Sequence, residues 1–293
     1  MQRARGRASV HLLSLLALLL VTVVWGATFP VLKVATASLS GIEVSALRFC
    51  IAACCMLPWV LGASRQAWRD GALLGALVLL SYVAQAYGLQ YISSNRSAFL
   101  TSLNVLMVPM FGLLFGKRIA LRVWLAATLA CCGIALMSWD GGGHWLADIA
   151  TVLGAAGYAL YVIVLSQRAA LHPARTLAAT QIVWMAALGA AWMLAASVGT
   201  DRLQTLGDRL SLEIILGLVY LGVVATAGML FLQALAQRHV SADQAAVIYA
   251  MEPVFAALFA WWWLAEGLSA QAALGGALVV FAVVLSEVKV RGR

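Results

Sequence analysis

The stretch A-M-E-P-V-F, Ala250 to Phe255, sits inside the run A-A-V-I-Y-A-M-E-P-V-F-A-A-L-F-A-W-W-W-L, Ala245 to Leu264, which is otherwise apolar. A helix of about 20 apolar residues crosses a bilayer, and this run has that length. A carboxylate followed by a proline in the middle of such a segment is expensive. A buried acid needs a partner or a task, and proline removes a helical donor. Pro253 leaves the carbonyl of Tyr249 without its helical N–H, so the sequence predicts a kink near mid-membrane.

Runs of this kind fill the chain. Of 293 residues 64% are hydrophobic and 10% charged, whereas soluble domains are roughly half apolar and a quarter charged. The expected class is therefore an all-α integral membrane protein. Ten candidate spans fall at about 9–32, 42–62, 71–91, 96–116, 121–139, 145–166, 175–198, 212–235, 242–264 and 269–287. Membrane strands would alternate polar and apolar residues, and these runs do not. With the N-terminus inside, fourteen Lys and Arg fall in inner segments, and only Lys33, Arg96, Arg202 and Arg209 fall in outer ones. The positive-inside rule then places both termini in the cytoplasm. Topology accounts for the net charge of +8, and the scattered arginines form no basic stripe for nucleic acid.

R-A-R-G-R followed by apolar residues could open a signal peptide, but the apolar stretch runs on through Trp25 to Leu32 with no cleavage-type ending. Cys50, Cys54, Cys55, Cys131 and Cys132 all lie within spans and read as small apolar filler, not as disulfides or metal ligands.

The chain also repeats itself. P-W-V-L-G-A-S at 58–64 resembles A-W-M-L-A-A-S at 191–197, an offset of 133. Further on the offset is 148, pairing Gln85 with Gln233, Ser93 with Ser241, Ala98 with Ala246 and Phe111 with Phe259. An insertion within V-G-T-D-R-L-Q-T-L-G-D-R-L-S, 198–211, absorbs the difference. Two units follow, 9–139 and 145–287, of five spans each. An odd number of crossings inverts the second unit relative to the first. Trp59 and Trp192 then lie at opposite interfaces, as an aromatic belt requires. Inverted repeats are the architecture of alternating-access carriers, with substrate at the midplane between halves.

W-G-A-T-F-P-V-L-K (25–33), E-V-S-A-L-R-F (43–49), S-N-R-S-A-F-L-T-S-L (94–103), G-Y-A-L-Y-V-I-V-L-S-Q-R (157–168) and V-S-A-D-Q-A-A-V-I-Y-A-M-E-P-V-F-A-A-L-F-A (240–260) together resemble the EamA-type carriers of the drug/metabolite transporter superfamily. The resemblance covers nearly the whole chain. It implies a ten-helix bacterial inner-membrane exporter of amino acids, metabolites or drugs with a central cavity. Many relatives close the fourth span with G-E-R. Here it ends G-K-R (116–118), and the second unit keeps a carboxylate at the matching Glu266.

Polar residues inside the spans are the candidate site. Ser97, Thr101 and Asn104 share a face of the fourth span. Gln244, Tyr249 and Glu252 share a face of the ninth. The repeat pairs Asn104 with Glu252 and Gln85 with Gln233, so matched polar points arise from opposite halves. Taken singly, such residues join helices by hydrogen bonds; as a symmetric set they also fit a cavity. Trp25, Tyr82, Tyr158, Tyr161 and Tyr249 are intramembrane aromatics, for packing or for an amphipathic or cationic ligand. Trp261, Trp262 and Trp263 read as an interface belt. The candidate substrate-binding set is Trp25, Gln85, Thr101, Asn104, Tyr158, Tyr161, Gln233, Tyr249 and Glu252.

Arg48, about two turns deep in the second span, should snorkel outward or pair with Glu43, Glu252 or Glu266. The four histidines lie at span ends or in loops and suggest no proton relay. Glu252 has two open readings, a protonatable switch that couples transport to protons, or a protonated acid that hydrogen-bonds a neighbour. The chain has no H-E-x-x-H, G-x-S-x-G or Walker motif, so an enzyme or a directly ATP-driven pump is disfavoured. The expected function is a cofactor-free secondary transporter. Its substrate is expected to be an amino acid or related metabolite, with a cationic-compound exporter, a membrane scaffold and a membrane enzyme as the rivals.

Overall fold

A computed structural model describes residues 2–92, 94–114, 116, 119–138, 144–264 and 270–287. Lys117, Arg118, Glu266, residues 141–143, the C-terminal Lys289, Arg291 and Arg293, and the side chains of Arg3, Arg5, Arg7 and Trp263 lie outside the described set. Among the described residues the chain is helical throughout, with no strand.

The helices are α1 (Gln2–Gly26), α2 (Thr28–Thr36), α3 (Gly41–Met56), α4 (Arg65–Tyr91), α5 (Ser94–Ser102), α6 (Asn104–Leu114), α7 (Leu121–Ser138) and α8 (Trp145–Arg168). They continue as α9 (Ala174–Ala196), α10 (Leu212–Val219), a π-helical stretch Tyr220–Gly228, α11 (Met229–Ala236), α12 (Ala242–Tyr249), α13 (Glu252–Leu264) and α14 (Ala270–Glu287). Joined where the chain runs on, they form ten membrane spans. Eight are long and apolar enough to cross a bilayer by length and composition. The apolar cores of α7 and α14, Leu121–Leu136 and Ala273–Ala282, are shorter, and these two helices lie along each other.

Serines set several of the starts. Ser40 accepts from the Glu43 amide while the Glu43 carboxylate accepts from the Ser40 amide, and Ser241 and Gln244 form the same reciprocal cap. Each arrangement satisfies two orphan donors of a helix N-terminus. Ser64 and Ser211 cap α4 and α10 by single bonds.

Three spans are broken part-way along. α12 ends at Tyr249, four residues before Pro253, as the lost donor requires. The first span obeys the same rule, because α1 ends at Gly26, four residues before Pro30. The fourth span breaks at Leu103, between α5 and α6.

α3 lies along α9, and α7 along α14. α4 packs on α8 as α11 packs on α1, and α6 meets α12 at the centre. The span ends sort into two sets. Arg209 binds Glu43 and the Ser38 carbonyl, and Arg96 binds Asp148. At the other end His172 Nε2 lies 2.7 Å from Asp70 Oδ2, Arg168 approaches the same carboxylate at 3.7 Å, and His11 meets the His239 carbonyl. Segments assigned to one membrane face by their charge therefore touch one another. Trp59, Trp192, Trp261 and Trp262 are exposed on the outside of the bundle, where a belt would place them. The five cysteines are free thiols.

Candidate functional site

The broken spans meet at one small cavity. Trp25 and Thr28 reach it from the first span, Arg48 from α3, Ser81, Tyr82 and Gln85 from one face of α4, Thr101 and Asn104 from the two sides of the Leu103 break, Tyr158 from α8, and Glu252 from the first position of α13. Its volume is about 20 Å³, room for a water molecule and not for a metabolite.

Six of the nine sequence candidates, Trp25, Gln85, Thr101, Asn104, Tyr158 and Glu252, line this cavity. The other three stand behind its wall. Gln233 is fully buried, donates from Nε2 to the Tyr158 hydroxyl at 3.0 Å and accepts from the Tyr161 hydroxyl at 3.3 Å. Tyr249 packs its ring on Trp25 and Tyr158, at centroid distances of 5.7 and 6.0 Å. Tyr158 also meets Trp25 edge-on at 5.9 Å. An aromatic wall of this kind holds its geometry through ring contacts worth about 1 kcal/mol each beyond their burial.

Arg48 departs from expectation. It does not snorkel, being 3% exposed, and among the described residues it makes no ion pair; Glu266, one of its three expected partners, lies outside them. Its Nε and Nη2 both donate to Thr226 Oγ1, at 3.1 and 3.0 Å. Its guanidinium lies 4.6 Å from the centroid of the Tyr82 ring and 5.4 Å from that of Phe49. The physical reason is the π-helical stretch. Gly222 brings that stretch so close to α3 that an added Cβ would lie 2.8 Å from the Arg48 carbonyl oxygen, which sets Thr226 under the guanidinium. Thr226 gives its own proton to the Leu221 carbonyl at 2.7 Å, so its oxygen is free to accept. The same stretch supplies the Ala225 carbonyl to Trp25 Nε1 at 2.8 Å. At nine residues the stretch is longer than the single-turn π-bulges usual within α-helices.

Several polar groups here are unanswered. Tyr82 Oη, Thr101 Oγ1 and Asn104 Oδ1 are buried with no hydrogen-bond partner among the described residues, although Asn104 Nδ2 donates to the Thr101 carbonyl. Glu252, 8% exposed, makes no hydrogen bond or ion pair with a described residue. Nearly all buried polar groups in proteins are paired. Around this cavity, orphan oxygens stand beside a buried cation and a buried carboxyl. Among the described residues no group of His, Cys, Asp and Glu could hold a metal ion.

Sequence reasoning missed Thr28, Ser81 and Thr226. The F-P pair at 29–30 marked the first-span break by the same rule as E-P at 252–253. Nothing in Y-L-G-V-V-A-T-A-G announces the π-helix.

A family model described as the EamA-like transporter family matches residues 12–139 and 145–287. An uncharacterized transporter of Archaeoglobus fulgidus is 29% identical over 276 residues, which cover 94% of this chain and 86% of that one. A second uncharacterized transporter from the same organism is 22% identical over 297 residues, covering 96% of this chain and 98% of its own. A solved crystal structure of a protein superposes with a TM-score of 0.75 at 17% identity, over 94% of this chain and 95% of that one, which shows a shared fold. With the family model matching residues 12–139 and 145–287 of a chain rich in membrane-spanning helices, the chain belongs to the EamA-like transporter family and is a multi-pass membrane transporter.

Proposed function

We propose that this transporter exports amino acids or closely related small metabolites across a bacterial inner membrane by alternating access, with both termini cytoplasmic and no cofactor. One observation carries the reading. Arg48 and Glu252, a buried cation and a buried carboxyl with no protein counter-ion among the described residues, face the same cavity. A zwitterion answers both. Two of the five donors of the guanidinium are held by Thr226, which leaves the others for a carboxylate. Glu252 and the orphan oxygens of Thr101 and Asn104 suit an ammonium group. Trp25 and Tyr158 bound the space for the side chain, with Tyr161, Gln233 and Tyr249 fixing those rings and Gln85 at the rim.

At about 20 Å³ the cavity is too small for the guest, so the cycle requires opening toward either face. The units 9–139 and 145–287 are the natural moving bodies. The outward path is plugged by a buried apolar cluster that includes Phe29, Leu32, Leu89, Ile214 and Ala256. Glu252 supports proton coupling in a direct way. A single carboxylate that takes either a proton or an ammonium group exchanges one for the other across the membrane.

The rings around Trp25 favour a second reading, export of organic cations lacking a carboxylate. Counterflow of radiolabelled compounds in proteoliposomes decides. Amino acids should exchange, and Arg48→Gln should lower their apparent affinity by about tenfold or more, the loss expected for a charge-assisted hydrogen bond, while leaving decarboxylated amines unaffected. Exchange of amines alone would favour the second reading. Exchange of neither would remove both.

A further inference from the structure

A second, roomier cavity lies on the other face of α4. A groove of about 750 Å³ runs over the outer end of that helix, within the range of ligand-sized sites. Its floor is Leu80, Val83, Ala84 and Tyr87, which follow one another at helical spacing. One wall is the α2–α3 connection. The other is the first turns of α8, where Ala150, Leu153 and Gly154 stand. Leu80 and Leu153 are 50% and 62% exposed, inside segments that cross the membrane, so the groove opens sideways into hydrocarbon.

Its two ends differ in chemistry. The deep end is apolar and holds no group that would keep water. The end at the membrane surface carries Ser38, Ser40, Gln90 and Arg202. Arg202 comes from the segment 198–211, the insertion that the first repeat lacks. It lies 3.5 Å from Glu43, but that carboxylate is already held by Arg209 at 2.8 Å. The Arg202 side chain is 53% exposed, with donors to spare. A site that is apolar within the bilayer and cationic at its surface fits an amphiphile with a negatively charged head.

We propose that this groove is a binding site for an outer-leaflet phospholipid, with an acyl chain along α4 and α8 and its phosphate at Arg202. The site is separate from the central cavity and does not depend on which substrate that cavity takes. It is nevertheless coupled to it, because the opposite face of α4 carries Ser81, Tyr82 and Gln85 into the cavity. A lipid in the groove braces the helix over which Arg48 rests.

Native mass spectrometry of the full-length protein, released from nanodiscs holding phosphatidylglycerol or diacylglycerol with the same chains, tests the proposal. The wild type should retain one phosphatidylglycerol and at least about tenfold less diacylglycerol, the ratio expected for one charge-assisted contact. Arg202→Gln should abolish that preference. Ala150→Trp, which fills the groove, should lose both lipids. Leu153→Trp, lower on the same wall, repeats the filling test should the first variant fold poorly. Equal retention of the two lipids by the wild type, or undiminished retention in folded groove-filling variants, would overturn the proposal. Wild-type protein released with no lipid bound would overturn it as well.

Discussion

Asn104 opens α6 and Glu252 opens α13, 148 positions apart, and both face the same cavity. An amide and a carboxyl thus each stand first in a helix that follows a break. A residue there can serve packing or a guest, and stability separates the two. Asn104 Oδ1 has no partner to lose, and its Nδ2 makes one bond, to Thr101. Asn104→Leu should therefore cost only about 1 kcal/mol of stability while raising the half-saturation constant for amino acid counterflow several-fold. A large drop in melting temperature with unchanged affinity would make Asn104 a packing residue.

Thr226 anchors Arg48 through two donors. Thr226→Val leaves a buried guanidinium with less to hold it, and hydrogen bonds to charged groups contribute about 1.5–3 kcal/mol. Lower thermal stability and weaker amino acid binding are expected together. Thr226→Ser should restore both, since it keeps the accepting oxygen. Failure of the serine variant to restore them would show that the methyl group matters and the hydroxyl does not.

Gly222 is where the π-helical stretch approaches α3. A Cβ there would sit 2.7 Å from Ile51 Cγ2 and 2.8 Å from the Arg48 carbonyl oxygen. Backbone cannot yield as a side-chain tip does. Gly222→Ala should destabilise the protein by about 1–3 kcal/mol, displacing Arg48 as α3 moves off. A melting temperature equal to wild type would refute this close approach.

The face we propose as the outer one is held by Glu43, which accepts from Arg209 Nη1 and Nη2 at 3.0 and 2.8 Å. That carboxylate holds the Arg209 guanidinium above its ordinary pKa range, a bidentate pair that ties the insertion to α3. Glu43→Gln should loosen the cover over the outer plug. In a cysteine-free background, a cysteine at Ala98 should then react faster with a membrane-impermeant reagent added outside. Asp70→Asn, which breaks the His172 contact at the opposite end, should not have this effect. In the same assay position 202 should label from outside and 172 should not; the reverse pattern would invert the topology.

How far the sequence carried the fold depends on whether a feature is local. Spans are legible because each must be apolar over its own length, and Pro30 and Pro253 each remove one donor at a countable distance. The repeat offset placed Asn104 opposite Glu252 before any packing was known. The partner of Arg48 was not legible, since Thr226 reaches it only because the π-helical turn and the absence of a Cβ at Gly222 bring two distant helices together. Gln85 and Gln233 look equivalent in the repeat. Yet Gln85 lines the cavity, while Gln233 is consumed by Tyr158 and Tyr161, a difference made by aromatic neighbours that only the second half supplies.

Glu252 decides between coupling and packing. A protonated packing residue would hydrogen-bond a neighbour, and no described residue bonds to it. Glu252→Gln keeps the shape and the Pro253 break but can neither release a proton nor pair with an ammonium group. Accumulation driven by a proton gradient should be lost, whereas counterflow at saturating amino acid should survive with a raised half-saturation constant. Glu252→Leu should harm both, because it turns the polar cavity apolar beside Asn104 and Thr101 and leaves their oxygens without water or guest. The coupling role fails if the Gln variant, at matched protein in the membrane, still concentrates substrate to the wild-type level.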